Sequence, residues 1–169
     1  MQRMRIAGPL RRYVRLRLEK QQLPLKFRGA NVERVGMGAS EFTTFAIAKD
    51  AAEAFRLAHD EARHMEGHGG YTGTIAEVSS YSHPIQLPPR VTAVKALGWA
   101  WAIADNNGAS RVPAKHRELA ERIARYMRDK WGPCACLKLN ASETKQRKEA
   151  QGMKGTRAQA FAFSGLASC

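Results

Sequence analysis

The densest collection of titratable side chains is the run His59-Asp60-Glu61-Ala62-Arg63-His64-Met65-Glu66-Gly67-His68. It invites comparison with zinc-binding His-Glu-x-x-His helices, where two imidazoles four residues apart share a face and close on one ion. His59 and His64 are five apart. At about 100° per residue they diverge by about 140°, so one helix cannot aim both at a single metal. His68 falls beyond the glycine that ends the pattern, and nothing in the spacing ties His83 or His116 to the run. No metal site is expected.

The glycines of GHGGYTG (67–73) could cradle a phosphate, but their polarity is wrong. Phosphate loops run strand, glycines, helix, so that the anion meets a helix N-terminus; these glycines follow a helical pattern, whose C-terminal end is negative. They read as a turn, with Tyr71, Thr72 and Thr74 left to border any small pocket. Cys134 and Cys136 alternate on an apolar run and share a strand face, and Cys169 is the remaining thiol. An odd count without a secretory signal implies reduced thiols in a cytoplasmic protein. No histidine adjoins them, and no Ser or Thr sits in a G-x-S-x-G or S-x-x-K setting. Catalysis has no support in these motifs, and no cofactor is implied. A small enzyme or nucleotide-binding protein built on His59–Tyr71 is the remaining chemical alternative.

The other chemistry-bearing pattern is electrostatic. The 169 residues carry 28 Lys+Arg against 15 Asp+Glu, a net charge of +13. Residues 1–40 hold ten Lys/Arg and two Glu, 140–157 five and two, and 41–139 thirteen against eleven acids. A nearly balanced body thus carries two basic segments, which favour polyanionic partners over a Debye length of about 8–10 Å. In Val14-Arg15-Leu16-Arg17-Leu18-Glu19 the residues alternate, as in a half-buried strand with Tyr13, Arg15 and Arg17 on one face; Leu10, Val14 and Leu18 also fit a helix. An aromatic ring beside two guanidiniums suits contacts to phosphates and bases, although charge also guards ordinary edge strands. The candidate nucleic-acid-binding residues are Arg11, Arg12, Tyr13, Arg15, Arg17, Lys20 and Arg28, with Lys145, Arg147 and Lys148 in the second segment. The Arg-rich start resembles an organellar presequence in composition but lacks Ser/Thr enrichment, and no apolar stretch of about 7–15 residues follows as in a secretory signal.

The elements that must position these groups follow from patterning. Glu41–Ala48 is β-branched and aromatic and reads as a strand. Asp50 and Glu53 have capping-box spacing, opening a helix whose apolar stripe is Ala51, Phe55, Ala58, Ala62 and Met65. Residues 71–78 read as a second strand. Val91 to Ala104 is apolar and rich in small residues; at 14 residues it is below the roughly 20 that span a bilayer, so it reads as a buried helix. Ser110 and Pro113 open another helix, with Leu119, Ile123, Tyr126 or Met127, and Trp131 inward and Gly132-Pro133 as terminator. Arg117–Glu121, Glu118–Arg122 and Glu121–Arg125 are spaced to lace its outer face. Cys134–Leu139 and Ala158–Ala167 read as strands, and 140–157 as a long mobile basic loop or an extended hairpin arm. The expected fold is a single α+β domain, with a mixed or antiparallel sheet and about three helices packed on one face. A basic arm (1–40) with one short strand precedes a compact domain (41–169).

AAEAFRLAHDEARHMEGHGGYTGTIAE, RDKWGPCACLKL and FAFSGLASC together resemble a family of short uncharacterised bacterial and bacteriophage proteins sharing a helix, GYTGTIAE and a later DKWGP turn. The resemblance covers about half the chain, excludes the basic arm and implies a prokaryotic or phage protein, with no activity to carry over. The expected function is non-enzymatic binding of an RNA or DNA backbone through the arm and the 140–157 loop, alone or within a large assembly. The alternative is a phage-type modulator whose cations dock on an acidic host protein. No membrane partner is expected.

Overall fold

The computed structural model describes residues 38–66, 72–105, 108–153 and 155–168. Strand β1 (Ala39–Ala48) follows the aromatic and β-branched run and pairs antiparallel over its whole length with β4 (Gln159–Ser168), from Ala39 opposite Ser168 to Ala48 opposite Gln159. β3 (Ala135–Lys138) lies antiparallel on the other edge of β4, and the two-residue β2 (Ile85–Gln86) runs parallel to β3. The order is β1-β4-β3-β2, a mixed sheet. Among the described residues four α-helices complete the α+β domain: α1 (Ala51–Glu66), α2 (Ala93–Ala104), α3 (Arg117–Ala124) and α4 (Ala141–Ala150). That is one more than expected.

The helices cover both sheet faces rather than one. Ala160 and Ala162 of β4 and Leu137 of β3 join Ala93, Ala96, Leu97 and Ala100 of α2 and Ile123 of α3 in one core. Phe161, Phe163, Cys134 and Cys136 join Ala54, Ala58 and Ala62 of α1 in the other. The cause is visible in the strands. β3 and β4 are apolar at both parities, and a strand apolar on both faces must be covered on both. Alanines at the contact positions of α1 and α2 let these helices approach the sheet closely. Among the described residues no helix is long and apolar enough to cross a membrane.

The capping box holds: Asp50 Oδ1 accepts the Glu53 N–H at 2.9 Å, while Glu53 Oε2 accepts that of Lys49 at 3.0 Å. Ala54 joins the buried stripe, and Met65 in the last turn is 63% exposed. The expected strand over 71–78 is corrected. Ile75–Glu77 form a 3-10 turn, capped by the Thr74 hydroxyl, which accepts the Ala76 N–H at 3.3 Å and lies 2.8 Å from that of Thr72. The Thr74 hydroxyl and the Glu77 carboxylate, which accepts the Thr72 N–H at 3.5 Å, satisfy this backbone locally, in competition with a ladder, and Gly73 at φ 68° turns the chain. The segment 67–71, with Gly67, Gly69, Gly70 and Tyr71, lies outside the described residues.

The expected loop over 140–157 is also corrected, since it contains α4. Asn140 Oδ1 accepts the Glu143 N–H at 3.0 Å, and its Nδ2–H donates to the buried Val91 carbonyl at 2.8 Å. Glu143, itself buried, extends Oε2 to accept the Ala93 N–H at 2.9 Å, placing a carboxylate at the positive end of α2. Thr92 caps the same end through the Lys95 N–H. The segment is therefore a working part of the core. Its helix was hidden from periodicity because it buries a Glu and a Thr rather than an apolar stripe.

Candidate nucleic-acid interface

Of the ten cation-face residues read from the sequence, Arg11, Arg12, Tyr13, Arg15, Arg17, Lys20 and Arg28 lie outside the described residues. The other three share α4 but have different surroundings. Lys145 is exposed. Arg147 is half-buried, its guanidinium 3.5 Å from the Phe45 ring centroid and Nη2 3.6 Å from Glu143 Oε1. Lys148 Nζ donates to the Thr156 and Ala158 carbonyls, the latter at 3.1 Å. Arg147 and Lys148 tie α4 to the sheet and to the turn before β4, leaving Lys145 as the outward cation of the three.

A denser basic surface surrounds α3. Residues 111–131 contain seven Lys/Arg and three acids. The inner side of α3 is Leu119, Ala120, Ile123 and Ala124 packed against α2; Glu118, Glu121, Arg122 and Arg125 face outward. The expected ladder of charges four apart does not form. Arg117 donates instead to the Ala109 carbonyl at 3.3 Å, while ion pairs form at Arg56–Asp60 and Glu143–Arg147. Lys115, Arg122 and Arg125 are exposed and make no ion pair among the described residues. Arg128 donates to the Ile103 carbonyl at 2.8 Å, bringing a cation to the negative end of α2. His116 stacks on Trp99 with centroids 4.7 Å apart and planes 15° apart.

Trp131 overturns its expected inward position, being 71% exposed. α3 ends at Ala124, and Asp129 Oδ1 accepts the Trp131 N–H at 2.9 Å in an Asx-type turn that swings the indole outward. The D-x-W-G-P spacing carried this signal, because Asp two residues before an aromatic favours a local turn over another helical turn. A Cβ at Gly132 would lie 3.0 Å from Asp129 Oδ2, so a larger residue there requires that carboxylate to shift. Lys130 Nζ lies 5.1 Å from the Trp131 ring centroid.

The histidine and cysteine chemistry stays dispersed. His59 lies against Phe55, 5.9 Å between centroids, at an open cleft of about 370 Å³ lined by Phe55, Arg56, His59, Arg63, Val78 and Ser79. His64 is exposed and His68 lies outside the described residues. Among the described residues no three His, Cys, Asp or Glu side chains gather as a metal site would require. Cys134 and Cys136 share the α1 face of the sheet, as their alternation implied, and both are buried. Burial pushes both thiols up to about 12, with the neighbouring Cys136 adding to the effect at Cys134. Protonated and enclosed, neither is a nucleophile at neutral pH. Cys169 lies outside the described residues.

Comparison with known proteins adds no further constraint: no family model matches the chain, nor does any curated protein or solved structure.

Proposed function

We propose that this chain is a non-enzymatic nucleic-acid-associated protein that grips a phosphate backbone, with the basic residues of 1–40 and the outer side of α3 as its contacts. The observation that carries this reading is the exposed set Lys115, Arg122 and Arg125, whose charge no ion pair among the described residues neutralises. Acidic residues stand in sequence where partners would be needed, yet the cations face solvent separately. Phosphates attract such groups and release condensed counterions on binding. Arg11, Arg12, Arg15 and Arg17 supply further cations in the sequence, and Lys145 is an exposed cation of α4.

Labelled oligonucleotides titrated by fluorescence anisotropy test the reading. With eight to ten phosphates neutralised, the log–log slope of affinity against salt on duplex is expected at about −7 to −9. Arg122→Glu with Arg125→Glu should lower affinity at low salt and flatten the slope by about 2, at about 0.9 per lost contact. Failure of the wild-type chain to bind RNA or DNA at low salt would sink the reading. Stable co-purification with one acidic protein after nuclease treatment would replace it with the protein-docking alternative.

A further inference from the structure

We propose that Trp131 is a base-stacking platform, so that the preferred ligand is single-stranded nucleic acid. This rests on the backbone-gripping reading and adds a ligand class that phosphate contacts alone do not specify. A duplex offers its phosphates to cations but keeps its base faces stacked inside. An unpaired base presents a π-face, and an aromatic side chain beside cations can hold it without regard to sequence.

The surroundings of Trp131 suit that task. The ring is 71% exposed, the largest exposure among the large apolar side chains described. Its backbone is not loose: the Asp129 carboxylate holds the Trp131 N–H at 2.9 Å, Gly132 closes against Asp129, and Pro133 fixes the next φ. Beyond it, Cys134 bridges to Tyr81 at the sheet, with the Cys134 N–H donating to the Ser80 carbonyl at 3.0 Å. Upstream, Arg128 is anchored on the Ile103 carbonyl. The indole is thus presented from a turn braced on both sides, so little ordering cost remains when a base stacks. Lys130 lies within cation–π reach of the same ring. Arg125, exposed at the C-terminal end of α3, is a further cation of the same segment.

The experiment measures wild type, Trp131→Ala and Trp131→Phe against an oligothymidine, an oligouridine and a matched DNA duplex. Circular dichroism melting checks that each variant is folded, as the exposure of the side chain implies. The expected result is a loss of about 5- to 150-fold in single-strand affinity for Trp131→Ala, the range for one base–aromatic stack. Duplex affinity and the salt slope should hold within about twofold. Trp131→Phe should recover most of the single-strand affinity, and wild-type indole fluorescence should be quenched by single strands. The DNA and RNA arms decide which sugar is preferred. If wild type binds nucleic acid but Trp131→Ala binds single strands equally well, or loses duplex affinity equally, stacking is refuted and the backbone reading stands. If wild type binds no nucleic acid, both fall.

Discussion

Asn140→Ala tests the corrected role of residues 140–157 most directly. Asn140 is 7% exposed and makes two hydrogen bonds of different kinds. Oδ1 caps α4 through the Glu143 N–H, and losing such a cap costs about 1 kcal/mol. Nδ2–H donates to the carbonyl of Val91, a residue 4% exposed, and leaving a buried acceptor unsatisfied costs about 1–3 kcal/mol. The sum is about 2–4 kcal/mol against a total stability of about 5–15 kcal/mol. For a chain of this size that lowers Tm by about 4–16 °C. Asn140→Ser separates the terms, because serine still caps but is too short to reach Val91, so it should recover about 1 kcal/mol of the alanine loss. Urea unfolding followed by far-UV circular dichroism reads the difference as a shifted midpoint at constant slope. A cost for Asn140→Ala below about 0.5 kcal/mol, the range of an ordinary surface change, would refute this account of α4 as part of the core. So would a serine variant no more stable than alanine.

Phe163 is fully buried and meets both Phe55 and Tyr81 edge-on, at 5.4 and 5.8 Å between centroids. Phe163→Ala should cost about 3–5 kcal/mol in chemical denaturation, and Phe163→Leu a small part of that. In a Cys169→Ser background, Cys134 and Cys136 should resist a disulfide exchange reagent at pH 8 until urea unfolds the chain; rapid native labelling would contradict their burial. Because folding raises both thiols from the ordinary 9.0 to about 12, their contribution is fully present below pH 9 and is lost as pH rises through that window. Melting temperature should therefore fall across it, and replacing both with Ser should blunt the fall.

Local signals determined much of this protein. The run 41–48 lies in β1, the Asp50/Glu53 spacing starts α1, the apolar alanine-rich run contains α2, and the last apolar stretch overlaps β4. Each is legible because its backbone pattern and its burial share one period. The segregation of charge was likewise a property of the sequence, since counting requires no coordinates. Tertiary structure decided the rest. Asn140-x-x-Glu143 was a capping signal in plain view, but only its partners across the fold, Val91 and Ala93, make α4 buried structure instead of a basic arm. That burial turns Arg147 and Lys148 inward and leaves Lys145 outside. Trp131 continued a helical period yet faces solvent, because the Asp129 carboxylate competes for its N–H once α3 has ended. Periodicity reports which face of a helix would be apolar. Whether a side chain is covered, or its charge neutralised, depends on distant groups that no local spacing specifies.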